Sequence, residues 1–203
     1  MFFPDFFVTI CNFTGNHCKE KDKAVQNIPD ETIMEKVKGG NLSEMSILFE
    51  RYHLRLFNFF FRMGLGRDIS QDMTQNLFYR MIRYRHTYKE GACVKSWIYQ
   101  IARNLHSDYR NREKKKGDLF VSSGIFPSDV AETADSYDED DFDKLETALL
   151  TLSDAQRELI VLSRYQGLKY EEISPLVNQS VPAIKVAIYR AIRQLRSVYF
   201  KQT

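Results

Sequence analysis

Cysteine is scarce in this 203-residue chain: Cys11, Cys18 and Cys93 are odd in number and fall in no metal-ligand spacing. That argues against a disulfide framework and for reduced thiols in a cytoplasmic protein. Histidine is equally thin, with His17, His53, His86 and His106 scattered along the sequence. There is no glycine-rich phosphate loop, and no acidic cluster sits at metal spacing in an ordered stretch. Nothing therefore points to a metal, a cofactor, a small-molecule substrate or an enzyme acting on nucleic acid. No apolar run approaches the roughly 18 residues of a membrane span. The opening MFFPDFFVTI is apolar, but it lacks a basic flank and is interrupted by Pro4 and Asp5, so it makes a poor signal peptide. Residues 1–29 read as an extension of unknown role: disordered, a small docking segment, or the product of an upstream start. Strand-like alternation is missing too, and no segment repeats.

What is present is helical periodicity. Asp30 is placed to cap a short helix, ETIMEKVK, ended by Gly39 and Gly40. A long helix from Ser43 carries Met45, Leu48, Tyr52, Leu56, Phe60 and Met63 at three- and four-residue steps. A third covers about 70–84, the loop HTYKEGACV comes next, and a fourth runs over KSWIYQIARNLHSDYRNREKKK with Ile98, Ile101, Leu105 and Tyr109 on one side. These four predict a compact lobe over 30–113. Gly, Ser, Pro and acid clusters then mark a flexible linker over 114–143. Patterning resumes at Phe142; Ser153 caps DAQRELIVLSRYQ, Gly167 closes it, and a second helical lobe fills 144–203. The expected class is all-α, two small helical domains on an acidic tether.

The net charge of +2 conceals strong segregation. Lys95 to Lys116 holds seven basic residues against two acidic, while Asp129 to Glu146 holds nine acidic against one basic. Arg157 to Lys201 returns to eight basic against three acidic. Two anion-binding lobes with a repelling connector fit that order.

The C-terminal YEEISPLVNQSVPAIKVAIYRAI has helix-turn-helix anatomy. Tyr170 to Val177 forms the first helix with Ile173 and Val177 inward, and Asn178 suits a left-handed turn residue. Ser180 caps the second helix, and Pro182 in its first turn gives up a donor that helices leave unpaired there. Ile184, Ile188 and Ile192 form the buried stripe. Outward lie Ala183, Lys185, Val186, Tyr189 and Arg190, small and long side chains mixed with positive charge, as a major-groove helix requires. Arg193 extends the charge toward flanking phosphates. Pro175, inside the first helix, predicts a kink or an early stop.

Two other faces carry more than packing needs. In DISQDMTQNLFYRMIRYR, Ile69, Met73, Leu77 and Met81 belong to a core. Asp72, Gln75, Asn76, Tyr79 and Arg83 share another side, either solvated or a protein-docking face. Around the chain's only tryptophan, Trp97, Tyr99, Arg103, Asn104 and His106 combine stacking surfaces with amide and guanidinium donors. That set suits separated bases, the plainer alternative being a core Trp97 beside a solvated basic side.

Taken in order, these stretches resemble a sigma-70 family factor of the extracytoplasmic function subgroup. The likeness rests on DMTQNLFYRM, KSWIYQIARNLHSDYRNR and LSDAQRELIVLSRYQGLKYEEI with the paired helices after it, and spans about 30–200. It implies a promoter-specificity subunit of bacterial RNA polymerase. Residues 30–113 would be region 2, with Asp72, Gln75, Asn76 and Tyr79 against the clamp coiled coil of core polymerase. The loop with His86 and Lys89 would capture a flipped −10 base, and Lys95, Trp97, Arg103 and Asn104 would hold the non-template strand. Residues 144–203 would be region 4, meeting the polymerase flap and reading the −35 element through Ser180, Pro182, Ala183, Lys185, Val186, Tyr189, Arg190 and Arg193. An anti-sigma partner, of a kind frequently membrane-bound, is implied as well. Asn178 and Ala187 depart from the Gly and Arg of many relatives. The alternative is a stand-alone helix-turn-helix regulator binding duplex without polymerase.

Overall fold

A computed structural model describes residues 28–115 and 139–199. Residues 1–27, most of the connector and the last four residues lie outside that description, and with them the expectations placed on the extension and on the linker's own character. The first described span folds as α1 (Asp30–Lys38), α2 (Met45–Arg62), α3 (Arg67–Arg83) and α4 (Val94–Lys115). The second folds as α5 (Glu139–Leu150), α6 (Asp154–Ile160), α7 (Tyr170–Val177) and α8 (Val181–Tyr199). No strand occurs among the described residues.

In the first lobe α2 packs against α3, and both lean on α4. Met45, Leu48, Tyr52, Leu56, Phe60 and Met63 are all buried, as their period predicts, and so are Met73, Leu77 and Met81 on α3. Ile98, Ile101 and Leu105 bring α4 into the same core, with Tyr109 half-buried at its end. Each fully buried side chain of this size contributes about 1.5–3 kcal/mol, so the stripes alone fix which faces meet.

Local chemistry departs from the sequence reading at two helix starts. Asp30 does not cap α1; Pro29 precedes the helix and Asp30 is its first residue. Its carboxylate instead accepts from the Tyr52 hydroxyl at 2.5 Å and from Arg51, whose guanidinium also holds the Ile28 carbonyl. A cross-helix partner has won over the local cap. Ser43 lies within a short 3-10 turn, Leu42–Glu44, before α2 begins at Met45.

The second lobe packs α8 against α5, α6 and α7. Ser153 caps α6 through a reciprocal box with Gln156. Past Ile160 the helix widens into a π-helical turn, Val161–Tyr165, closed by the Gln166 N–H donating to the Val161 carbonyl at 3.0 Å. Asn178 is left-handed at φ 53°, as the turn demands. Pro175 does not shorten α7, which runs to Val177. Its missing N–H forfeits one bond, to the carbonyl of the exposed Glu171. Leu176, rather than Val177, joins Ile173 in the core, and Ala191 takes the buried place beside Ile184 and Ile188 while Ile192 is half-buried.

The lobes are not apart. Their buried apolar residues form one continuous cluster, and Arg157 sits at the junction. Its guanidinium donates to the carbonyls of Leu149 at 3.0 Å, Leu150 at 2.9 Å and Leu152 at 3.1 Å, and across to Met63 at 3.2 Å. A Cβ on Gly64 would approach its Nη1 to 2.9 Å, so that glycine keeps the seat open, in a left-handed conformation (φ 89°) that only glycine adopts freely.

Lysine has no fork to serve several carbonyls at once. Arg157→Lys is therefore expected to lower the urea-unfolding free energy by about 1–3 kcal/mol, and a circular-dichroism titration showing no loss would remove Arg157 from this role.

Candidate functional site

Three surfaces stand out in the sequence, and the fold treats them differently. On α3, Asp72, Gln75, Asn76 and Tyr79 are exposed together, with Tyr79 60% exposed despite its size. The opposite face of the helix buries Met73, Leu77, Phe78 and Met81, so the polar row is held on a rigid support. An exposed carboxylate and two amides beside a tyrosine can hydrogen-bond a basic partner and give it apolar contact as well.

At the start of α8 and along it, Ser180, Pro182, Ala183, Lys185, Val186, Tyr189, Arg190 and Arg193 are all exposed, while Ile184 and Ile188 anchor the helix beneath them. The Ala183 N–H reaches the Ser180 hydroxyl at 3.4 Å, consistent with the expected cap. Lys185, Arg190, Arg193 and Arg196 meet no acidic residue on this helix. The face is cationic, projecting and unobstructed within the described residues, with Val186 49% and Tyr189 67% exposed.

The third surface, the 85–94 loop and α4, is split. The loop starts as a 3-10 turn, Arg85–Thr87, and is pinned by Tyr88, whose hydroxyl donates to the Ala92 carbonyl at 2.6 Å. His86 and Lys89 are thereby left on the outside. Glu31 of α1 accepts the Val94 N–H at 3.3 Å, setting a carboxylate against the positive end of α4. Trp97 is half-buried, edge-on to Tyr88 at 5.6 Å and packed against the core. Asn104 is exposed and takes a hydrogen bond from Gln100 at 3.0 Å.

The remaining members of that face are engaged elsewhere, and this corrects the reading of Tyr99 and His106 as stacking surfaces. Tyr99 is fully buried and its hydroxyl donates to Gln166 of the second lobe. His106 is 8% exposed, and burial, reinforced by Arg110, Arg157 and Arg103 against the opposing pull of Asp154, pushes its pKa down to about 4. Arg103 grips Glu158 through both oxygens, at 2.6 and 3.2 Å. Lys95 donates to the Gly167 carbonyl at 3.4 Å, and its desolvation, with Arg55 nearby, lowers its pKa. Sequence pattern alone offers no sign of these partners: Glu158, Gln166 and Gly167 have no periodicity that points across the connector. Nor does it single out Arg62, which pairs with Glu146 at 2.8 Å and lies over the Tyr165 ring at 4.1 Å.

Comparison with known proteins decides the family. Residues 48–116 match the family model for Sigma-70 region 2, and residues 142–195 match Sigma-70, region 4, together well over half the chain. The chain belongs to the sigma-70 family. It is 27% identical to the ECF RNA polymerase sigma factor SigM of Bacillus subtilis, over 75% of this chain and 93% of that one. It is 28% identical to the RNA polymerase sigma factor CarQ of Myxococcus xanthus, over 81% and 94%. The solved sigma factor RpoE from Bartonella quintana, in complex with the anti-sigma factor NepR, superposes with a TM-score of 0.60 at 26% identity, covering 74% of this chain and 92% of that one. CnrH in complex with the cytosolic domain of CnrY gives 0.66 at 19% identity, covering 86% and 99%, a likeness of fold. This sigma factor is of the extracytoplasmic function type and is a promoter-specificity subunit of RNA polymerase. Its family is one of DNA-binding initiation subunits and not of catalysts, and the stand-alone regulator reading is not favoured.

The buried His106 sets a pH dependence. Folded, it titrates near 4; unfolded, near 6.5. The unfolded chain thus binds the extra proton between these values, so the stability is complete above about pH 6.5 and falls by roughly 3 kcal/mol as pH drops through 4. Urea midpoints should show that slope between pH 6.5 and 4, and His106→Phe should flatten it; equal slopes would contradict the burial argument.

Proposed function

We propose that the exposed row on α3 is the core-polymerase contact and that the loop and α4 take the opened −10 element, while α8 reads the −35 element in duplex DNA. Region 2 would comprise 30–113 and region 4 would comprise 144–203, with 114–143 as the acidic tether threading the polymerase near the template strand. The observation that carries this reading is α8: eight outward residues from its cap onward, all exposed, with unopposed positive charge on a helix anchored by isoleucines.

Each assignment has a physical basis. A helix whose first turn offers Ser180, Pro182 and Ala183 can approach a groove closely, and Lys185 and Arg190 then reach base edges or phosphates. The Asp72, Gln75, Asn76 and Tyr79 row offers the clamp coiled coil a carboxylate, two amides and an exposed ring, groups that hydrogen-bond a basic partner and give it apolar contact. At the −10 element, unstacking a base costs a few kcal/mol, and stacking on an aromatic ring returns about 1–3 kcal/mol per base. Trp97 supplies such a ring, with His86 and Lys89 at the mouth and Asn104 and Arg103 along the backbone path. Region 4 would also meet the flap, and the chain acts in the cytoplasm with no chemistry of its own. Among the described residues no helix is long and apolar enough to cross a membrane. A protein inhibitor of the kind bound to the Bartonella relative fits as a partner, whether free or anchored in a membrane.

Reconstituted transcription with core polymerase tests the whole. Asp72→Arg with Gln75→Ala should weaken core binding about tenfold or more without changing the fold; unchanged co-purification would refute the α3 assignment. Lys185→Ala with Arg190→Ala should cost about 1–3 kcal/mol per base contact at −35-dependent promoters. It should leave core binding intact, and equal activity at those promoters would displace α8 as the reading helix.

A further inference from the structure

α1 carries none of the residues assigned to polymerase or DNA, yet it holds the 85–94 loop at two points. The helix is anchored inward by Ile33, Met34 and Val37, all fully buried, and its first residue, Asp30, is held by Arg51 and Tyr52 of α2. Another side meets the loop. Glu31, Glu35 and Lys38 recur at four- and three-residue steps, so they line one face over two turns, roughly 10 Å of helix. Glu31 accepts the Val94 N–H at 3.3 Å where the loop becomes α4, and Lys38 donates to Glu90 at 3.0 Å. Both residues are half-buried, whereas Glu35 between them is exposed.

The loop so held has a definite shape. The Ala92 N–H donates to the Lys89 carbonyl at 3.0 Å, closing a tight turn whose third residue, Gly91, is left-handed at φ 74°. Tyr88, 1% exposed, fixes the turn from the core side, its hydroxyl donating to the Ala92 carbonyl at 2.6 Å. Burial, followed by Glu31, Glu35, Cys93 and Glu90, pushes the pKa of that hydroxyl up to about 12, so it stays a donor. The turn leaves Lys89 and Glu90 exposed at its tip, with His86 exposed before it. Lys38 also offsets the charge of Glu90, whose side chain is 71% exposed and whose lone carboxylate would repel a strand at the tip.

We infer that Glu31 and Lys38 are positioning residues for capture of the −10 base: from a helix with no DNA contact of its own, they hold the turn Lys89–Ala92 formed before the strand arrives and so set how sharply the loop discriminates between bases. The inference rests on the assignment of the 85–94 loop to the −10 element. A loop ordered only on binding gives up part of its affinity to its own ordering, and it gives up the same amount for every base. A loose turn also rearranges its polar groups around whichever base enters. A held turn leaves the wrong base with unpaired groups, and that difference is selectivity. Glu31 acts where it is most effective, its carboxylate at the positive end of α4 satisfying an N–H that the helix cannot.

The test uses holoenzyme, core polymerase with the full chain, and a duplex library randomised over the −10 and −35 elements, the retained fragments being sequenced. Wild type is expected to enrich one base at the captured −10 position. Glu31→Ala with Lys38→Ala should flatten that enrichment about fivefold, with the −35 preference and the yield of holoenzyme unchanged. Glu31→Gln with Lys38→Arg, which keep an acceptor and a cation, should hold it within about twofold of wild type. Lys38→Ala alone should flatten it about twofold. That single variant carries the test if the alanine pair does not fold, an unchanged preference then overturning the proposal. His86→Ala with Lys89→Ala probes the loop itself. If this variant loses the −10 enrichment while the alanine pair keeps it, or if the alanine pair weakens both elements alike, the positioning proposal falls alone. If His86→Ala with Lys89→Ala leaves every −10 preference intact, the loop assignment falls and takes the proposal with it.

Discussion

A guanidinium cannot shed its charge at any physiological pH, so wherever it is buried its donors must all be used. Arg157 directs four of its five N–H donors at backbone carbonyls. Three at the end of α5 and the turn after it, and one at the end of α2, converge on it. Leu149 and Leu150 end α5, whose last carbonyls have no partner one turn on within the helix, and the Leu149 carbonyl also takes the Leu152 N–H at 3.2 Å, so the arginine helps to cap α5 from a neighbouring helix. The fourth ties that cap to the other lobe. Gly64 obeys the same constraint, because any Cβ there would occupy the guanidinium's place. Arg157 thus ties the lobes to each other with the same side chain that holds the turn after α5 in place.

The π-helical turn belongs to the same arrangement. One extra residue per turn rotates the side chains at its end, here Tyr165 and Gln166, relative to a regular helix. Tyr165 receives the Arg62 guanidinium on its ring face, and Gln166, 3% exposed, accepts the Tyr99 hydroxyl. A regular helix would send those two side chains elsewhere. The widened turn carries a backbone irregularity where two lobes must match, a common place for such turns to persist.

Much of this was legible from the sequence. The stripes Met45 to Met63 and Met73 to Met81 announced their burial, because apolar period and packing obey the same geometry. Asn178, Ser180 and Pro182 announced the turn, because few residues tolerate those backbone positions. The exposed faces of α3 and α8 came by subtraction. What could not be read is which polar residue would find a distant partner. Asp30 looked like a cap and is a cross-helix acceptor; Tyr99 and His106 looked like ligand-facing rings and are interior. In each case the deciding contact joins residues more than twenty positions apart, or across the connector, where local propensity is silent. The basic character of α4 was visible, but not that its counter-charges lie in this chain.

That last point bears on why one helix carries an apolar stripe, a tryptophan and so many cations. Its faces have separate tasks. Ile98, Ile101 and Leu105 hold the first lobe; Trp97 and Asn104 keep a partly open side; Lys95, Tyr99, Arg103, His106 and Arg110 face the second lobe. Cations on an exposed helix face attract phosphate without regard to sequence, and on α4 the Arg103 and Arg110 guanidiniums are met instead by Glu158 and Asp154 of the same chain. Pairs as solvated as Arg110 and Asp154 contribute about 0–1 kcal/mol each, so the apolar cluster beneath them carries most of the junction's stability.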